Sequence, residues 1–187
     1  RALAFLQRVV DRQARLVAQW LGVGFIHGVM NTDNMTISGE TIDYGPCAFM
    51  DHFDPGTVFS SIDHRGRYAW GNQAAIAQWN LARLAETLLP LIPGDKDHAI
   101  RRATQVIEGF TARHAAARLE VFGRKLGLPH ATPEDGALVD QLLSLMHAAH
   151  ADFTLTFRSL AEAIDDERAT QAERLLAPGS DARSIST

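Results

Sequence analysis

Apolar residues recur at intervals of three, four and seven positions along the first part of the chain. The set comprises Leu3, Leu6, Val10, Val17 and Leu21. An α-helix repeats every 3.6 residues, so these side chains share one helical face. Glycines follow at positions 22 and 24, and glycine commonly ends a helix. The pattern therefore predicts a first helix that ends at Gly22 to Gly24.

Four further stretches with helical spacing begin near residues 74, 100, 132 and 153. The first of them stops at Pro93 and Gly94, and the second continues to residue 121. In the third, Thr132 is the expected N-cap, Pro133 occupies the first turn, and the helix runs to about residue 150. The fourth extends to Ile164 and also permits a strand at 155–156, which we rank below a helix.

The segment between the first two helices has no helical period. Residues 25–30 are apolar and lead into the polar loop 31–34, after which residues 35–42 alternate around Ser38 and Gly39. Such alternation around a turn predicts a small β-hairpin. Residues 46–73 contain prolines, glycines and scattered aromatic residues without a period, so we expect an ordered and mostly irregular loop region.

The predicted architecture is thus mainly α with a small β-hairpin near residue 38. Residues 1–176 are expected to form one lobe, with a helical part at 74–176, and residues 177–187 a flexible tail. The chain opens at Arg1, within a helical pattern and without an initiator methionine. We therefore expect a fragment of a longer protein.

Charge and composition exclude several classes of partner. With 18 Lys and Arg against 22 Asp and Glu, the net charge is −4, and the sequence has no basic stripe of the kind that binds nucleic acid. It also has no run of 18 apolar residues that would predict a membrane span. The single cysteine, Cys47, cannot form an intrachain disulfide and fits a reducing compartment. The cytoplasm is the expected location, with a mitochondrial protein as the alternative.

Three polar side chains carry the candidate chemistry: Asp33, Asn34 and Asp43. Phosphate-transfer sites of the protein-kinase type use a loop carboxylate near the reacting hydroxyl, and an amide oxygen and a second carboxylate on Mg²⁺. Gly45 is expected to allow a sharp turn beside Asp43. By spacing alone, these residues are equally compatible with an ordinary solvent-exposed loop beside a hairpin. Asp33 and Asn34 also adjoin, whereas several residues separate the corresponding groups of ordinary protein kinases.

A longer set of motifs resembles the SelO (YdiU) family of protein-kinase-like protein adenylyltransferases. The motifs are GFIHGVMNTDNM at 24–35, TIDYGP at 41–46, GRY at 66–68 and WNLARLAE at 79–86. The resemblance is close over residues 1–92, and the helical remainder is compatible with it. Ala74 stands where the family pattern often has proline, a change expected to affect loop stiffness alone.

The resemblance implies a C-terminal-lobe fragment of a protein-kinase-like α+β fold, with catalytic and metal loops at 25–46. It implies transfer of AMP from ATP to Ser, Thr or Tyr hydroxyls of proteins. Asp33 would be the catalytic base, and Asn34 and Asp43 would bind Mg²⁺ or Mn²⁺, with Asp43 also at the nucleotide. The family's N-terminal nucleotide-binding lobe and its C-terminal redox residue lie outside these residues, and the fragment alone is expected to be inactive.

Two other functions stay open at this point: an ordinary phosphoryl-transferring kinase, and a catalytically silent kinase-like binding module. His27 is expected to orient the catalytic loop rather than to take part in chemistry. Residues 64–68 could contact a substrate or anchor their own loop. The three tryptophans, Trp20, Trp70 and Trp79, are expected in the core or in packed grooves. Finally, the short hairpin should bring the oxygens of Asn34 and Asp43 close enough to share one magnesium ion.

Overall fold

A computed structural model describes residues 1–162 of the chain. In this range five α-helices succeed one another, and two short strands form an antiparallel sheet in which Phe25 pairs with Phe49 and Ile26 with Ala48. The helices are α1 (Ala2–Gly22), α2 (Gln73–Leu88), α3 (Lys96–Lys125), α4 (Gly136–Ala148) and α5 (Phe153–Glu162), and the strands are β1 (Phe25–Ile26) and β2 (Ala48–Phe49). Short 3₁₀ turns cover Thr32–Asn34, Trp70–Asn72, Leu89–Leu91 and Pro133–Asp135.

Helix α1 lies at the centre of the fold and packs along α3 and against α2. Its apolar face is fully buried at Leu6, Val10 and Val17. The helix ends at Gly22, where an added Cβ would collide with the side chain of Val121 on α3. The absence of a side chain at Gly22 therefore leaves room for Val121 where the two helices meet. No helix within residues 1–162 is long and apolar enough to cross a membrane.

The periodic stretches of the sequence form helices as predicted. The third of the later stretches begins as a 3₁₀ turn at Pro133–Asp135, where the Thr132 amide donates to the Asp135 carboxylate at 2.7 Å, and continues as α4. Residues 155–156, for which a strand was the alternative, lie within α5. Ile164 and the predicted tail at 177–187 lie outside the described residues.

The predicted hairpin at 35–42 is wrong in extent. A single antiparallel bridge joins Met35 to Thr41, and the regular sheet pairs β1 with β2 instead. Side-chain hydrogen bonds replace the ladder: the Thr36 hydroxyl accepts from the Glu40 amide at 3.2 Å and donates to the Glu40 carbonyl at 3.0 Å. Because Thr36 supplies both bonds, the backbone turns without forming strands.

The irregular region 46–73 is ordered by an aromatic cluster that joins it to α5. Phe153 is fully buried, and its ring centroid lies 5.8 Å from that of Phe53, 6.4 Å from that of Trp70 and 5.2 Å from that of Phe157. The Phe53 amide also donates to the Ala151 carbonyl at 2.8 Å. Aromatic pairs at these separations stabilise one another beyond the area that they bury, so the loop has a fixed position on the helical layer.

A groove between α3 and α4 contains a histidine whose proton affinity is strongly perturbed. The His114 ring stacks on that of Phe110, with centroids 5.7 Å apart and planes inclined by 14°. Burial, and then the positive charge of Arg118, lower the pKa of His114 to about 4. Arg118 is itself held by Asp140 of α4 at 2.7 Å. His114 is therefore neutral at pH 7.

The free energy of unfolding should consequently decrease as the pH is lowered from about 6.5 to about 4, because of His114. An unfolded histidine takes up a proton near pH 6.5, whereas the folded one does so only near pH 4. Between these values protons favour the unfolded chain, and the loss should be on the order of 2–3 kcal/mol. Urea unfolding of the wild type and of His114→Gln at pH 7 and pH 4.5 measures it. An unchanged pH slope in His114→Gln, or an equal change in the exposed control His130→Gln, would contradict this expectation.

Candidate active site

Asp33 and Asn34 lie on the 3₁₀ turn Thr32–Asn34, which the Asn34 amide closes by donating to the Asn31 carbonyl at 3.0 Å. The Asn34 side-chain nitrogen donates to the Val29 carbonyl at 3.0 Å. This bond fixes the amide plane and leaves the side-chain oxygen available as an acceptor. In the described part of the chain, the exposed Asp33 carboxylate makes no hydrogen bond or ion pair, so it is available to a substrate.

Asp43 is exposed and has a φ of 55°, in the left-handed region that non-glycine residues rarely adopt. The Gly45 amide donates to the Asp43 carbonyl at 2.8 Å and closes a tight turn around Tyr44. The sharp turn expected beside Asp43 is therefore present, but the positive φ belongs to Asp43 and not to Gly45. Strained backbone of this kind is concentrated at functional sites, and aspartate tolerates it better than most residues.

His27 joins the segment that carries Asp33 to the segment that carries Asp43. The side chain is fully buried, and its Nε2 atom lies 2.9 Å from the Ile42 carbonyl oxygen. Because Ile42 precedes Asp43, this contact fixes the start of the strained turn. The burial of His27 and this contact agree with the structural role that was expected for it.

Two polar residues of α2 hold the backbone of residues 25–34, the candidate catalytic loop. Gln73, fully buried, accepts from the His27 amide at 3.0 Å and donates to the Phe25 carbonyl at 3.0 Å. Two turns further along the same face, Asn80 donates to the Met30 carbonyl at 2.9 Å. These bonds satisfy backbone groups that would otherwise be buried without partners.

Two residues of α1 hold the segment that follows. The Gln13 side chain donates to the Thr36 carbonyl at 2.5 Å, and the Trp20 indole N–H donates to the Thr41 hydroxyl at 2.9 Å. Thr36 and Thr41 lie at the two ends of the turn between the Asp33 and Asp43 segments. Helix α1 therefore fixes this turn, and α2 fixes the preceding loop at residues 25–34.

The antiparallel bridge between Met35 and Thr41 brings the two candidate metal ligands onto neighbouring segments. One step along an antiparallel register, Asn34 faces Ile42, the residue before Asp43. That the oxygens of Asn34 and Asp43 share one magnesium ion stays a prediction.

The loop at 63–68 is attached to the catalytic loop by one hydrogen bond. The Tyr68 hydroxyl donates to the Asn31 side-chain oxygen at 2.8 Å, two residues before Asp33. Asp63 holds the loop in shape, because its carboxylate accepts from the amides of Arg67 at 2.9 Å and Tyr68 at 2.8 Å. Burial acts to raise the pKa of Asp63, but the backbone N–H groups outweigh it and lower the pKa below its ordinary value.

The donor set fits a hard divalent cation with few protein ligands. Asn34 and Asp43 offer an amide oxygen and a carboxylate, and Mg²⁺ prefers such oxygens while keeping water or phosphate in its remaining positions. Among residues 1–162 no three His, Cys, Asp or Glu side chains are grouped so that they could hold a metal ion without such help. A cation held by these two residues would take its remaining ligands from water or phosphate.

Comparison with protein families agrees with the motifs around this site. The model of the family described as protein adenylyltransferase SelO matches residues 1–184. The chain belongs to the SelO family. Three relatives named protein nucleotidyltransferase YdiU come from Cereibacter sphaeroides, Rhizobium etli and Chromobacterium violaceum. They are 60%, 58% and 59% identical to this chain over 89%, 89% and 95% of its length.

The chain spans about a third of the length of these SelO relatives, at 35%, 33% and 36% of each. The family resemblance stated from the sequence is thus confirmed, and it extends well beyond residue 92. The described residues are mainly helical with a small sheet, which agrees with the coarser part of the predicted fold class.

The side chains that position the SelO loops were not identified from the sequence as functional. Gln13, Gln73 and Asn80 have 1%, 0% and 5% of their surface exposed. Gln13 lies on the apolar face of α1, where the period requires a buried residue. A large polar side chain at such a position must find a buried partner, and this signal in the sequence could have identified Gln13. On α2 the buried face carries Gln73 and Asn80 beside small residues, whereas the large apolar side chain of Trp79 is exposed, so the period alone does not identify these two.

Replacing Gln73 by methionine should lower the free energy of unfolding by a large amount for a single substitution. Methionine keeps the approximate shape but leaves the His27 amide and the Phe25 carbonyl buried without partners, at about 1–3 kcal/mol for each group. Urea unfolding of Gln73→Met measures the loss. The matched control is Gln78→Met on the same helix, which removes one half-buried bond to the Ile107 carbonyl and should cost about 1 kcal/mol. Equal losses in the two variants would contradict the role assigned to Gln73.

Proposed function

We propose that this chain forms the catalytic and metal-binding part of a longer protein adenylyltransferase, which transfers AMP from ATP to Ser, Thr or Tyr hydroxyls of proteins. The supporting observation is the set of buried side chains that fixes two exposed, acid-bearing loops next to each other. Membership of the SelO family supports the nucleotidyl rather than the phosphoryl version of the reaction. The single cysteine, Cys47, agrees with action in a reducing compartment such as the bacterial cytoplasm.

Asp33 is the base in this proposal. Its carboxylate accepts the proton of the substrate hydroxyl, and the hydroxyl oxygen attacks the α-phosphorus of ATP. The bond between the α-phosphorus and the bridging oxygen breaks, and pyrophosphate leaves with that electron pair. Because Asp33 makes no internal hydrogen bond or ion pair within residues 1–162, the carboxylate is free to approach a bound hydroxyl.

Asn34 and Asp43 would hold the divalent cation, Mg²⁺ or Mn²⁺, which supplies positive charge next to the phosphates when it is bound. The Asn34 amide is oriented by its bond to Val29, and the strained turn fixes the backbone of Asp43. Preorganised ligands avoid the entropic cost of ordering a loop during each catalytic cycle. The structural order at these two positions therefore serves the electrostatic part of the reaction.

The intact mass of a protein substrate after incubation with the full-length protein, ATP and Mg²⁺ tests the proposal. A gain of AMP supports it. A gain of phosphate would show an ordinary kinase, and no gain with any hydroxyl-bearing substrate would show a silent binding module.

Variants of the two aspartates should separate base from metal ligand. In the full-length protein Asp33→Ala should lower turnover by about 10²–10⁴-fold and leave Mg²⁺-dependent ATP binding nearly intact. Asp43→Ala should abolish both turnover and the contribution of Mg²⁺ to ATP binding. Asp51→Ala, an exposed loop acid, is the control and should change neither. Equal loss of ATP affinity in Asp33→Ala and Asp43→Ala would rule out the assignment of Asp33 as base.

The 187-residue chain alone should fold but should not transfer AMP. Its helices bury a continuous apolar core, whereas Asp33 and Asp43 are both exposed on one surface. A single surface cannot hold the α-phosphorus in line with the hydroxyl, and misplacement of reacting atoms costs orders of magnitude in rate. Circular dichroism and an AMP-transfer assay on the isolated chain test both statements. Transfer at a rate near that of the full-length protein would overturn the second.

A further inference from the structure

Trp79 forms the centre of an exposed surface beside the catalytic loop. It has 45% of its surface exposed, so the expectation that all three tryptophans pack in the core or in grooves is wrong for this residue. The guanidinium groups of Arg67 and Arg83 each lie 5.1 Å from the centroid of its ring. We call Arg67, Trp79 and Arg83 the Trp79 surface.

The Trp79 surface carries one guanidinium group without a direct ion pair. Arg83 is paired with Glu86 at 2.8 Å, whereas within residues 1–162 no carboxylate lies within 4.0 Å of the Arg67 guanidinium, and the Asp63 carboxylate, whose pKa Arg67 helps to lower, lies beyond that distance. Both guanidinium groups contact the same ring, so they are at most about 10 Å apart. Two like charges at this distance repel each other, and an anion between or beside them would relieve the repulsion.

An apolar pocket of about 290 Å³ adjoins this surface. Its apolar walls come from Val9, Met35, Ile37, Leu81 and Leu84. Arg83 belongs to both the pocket and the Trp79 surface, and Thr32, which also lines the pocket, precedes Asp33. The volume suits one apolar side chain of medium size, near the lower limit for small-molecule sites.

The Trp79 surface is connected to Asp33 on its other side as well. Arg67 precedes Tyr68, whose hydroxyl is bonded to Asn31 at 2.8 Å. From Asp33 one therefore reaches the same pair of arginines by two routes, through Thr32 and the pocket or through Asn31 and Tyr68. A chain that is bound with a hydroxyl at Asp33 and extends along either route reaches this surface.

We propose that the Trp79 surface and the adjoining pocket bind the segment of the protein substrate next to the acceptor hydroxyl. An acidic side chain lies against Arg67 and Arg83, and a neighbouring apolar side chain enters the pocket. The inference rests on the proposed function and adds a substrate class to it: hydroxyl-bearing segments that contain Asp or Glu a few residues from the acceptor. Arginine suits this task because its planar group can stack on Trp79 and still donate to a carboxylate.

Peptide binding in the absence of nucleotide tests the proposal. The probes are pools of synthetic peptides with a central serine, random flanking residues, and glutamate, glutamine or lysine fixed at one scanned position. Fluorescence anisotropy with the full-length protein should show that the glutamate pools bind about two- to fivefold more tightly than the glutamine pools at one or more positions, as one exposed charge pair allows. The difference should shrink when salt is raised from about 0.05 M to about 0.5 M.

Variants of Arg67 assign the preference to this surface. Arg67→Gln should remove most of it, Arg67→Lys should retain it, and Arg67→Glu should reverse it in favour of the lysine pools. Arg102→Gln removes the same charge from an exposed position on α3 and should leave the preference unchanged. Retention of the preference in the Arg67→Lys variant also shows that any effect of Arg67→Gln comes from the lost charge rather than from a collapsed loop.

The outcomes separate this inference from the proposed function. Equal binding of glutamate and glutamine pools, or a preference that Arg67→Glu leaves unchanged, would overturn the docking surface even if AMP transfer is observed. A preference that follows the charge at Arg67, in a protein that transfers phosphate or nothing, would support the surface and remove the adenylyltransferase proposal.

Discussion

Buried amide side chains on α1 and α2 determine the position of the loops that carry the candidate site. The backbone between residues 25 and 42 forms little regular structure of its own, with one pair of short strands and one isolated bridge. Buried backbone groups without partners are costly. Gln13, Gln73 and Asn80 supply those partners, so the loops have one favourable position relative to the helices.

This arrangement has its own cost in stability. Gln13 and Asn80 use their side-chain nitrogens for the loops, while their side-chain oxygens are buried and find no partner within residues 1–162. Asp43 adds backbone strain. An unsatisfied buried acceptor and a left-handed non-glycine residue each cost on the order of 1–3 kcal/mol. Stability is thus lower at the site than the apolar core alone would give, in exchange for fixed positions of Asn34 and Asp43.

The sequence predicted the helices well because their stability depends on a repeated apolar face, which any window of the chain displays. It failed at residues 35–42 because alternation over eight residues does not distinguish a strand ladder from a turn closed by side chains, here those of Thr36 and His27. It failed at Trp79 for a related reason. Trp79 lies off the buried face of α2, which carries residues such as Ala77 and Asn80, and Arg67 stacks on it from 12 positions earlier, a contact that exists only in the folded chain. The motifs singled out Asp33, Asn34 and Asp43 as candidates and His27 as a residue that orients them, but they assigned no role to Gln13, Gln73 or Asn80.

In the proposed reaction Asp33 would act on the attacking hydroxyl, and Asn34 and Asp43 would act on charge at the phosphates, and both needs are the same for phosphate and for AMP transfer. The choice between the two products would therefore depend on which phosphorus lies in line with the hydroxyl. Because Asp33 and Asp43 are both exposed, that alignment would be set by groups that face them across the nucleotide. In a protein of the relatives' length, the part described here would define where the acceptor is held, and the opposing part would define what is transferred to it.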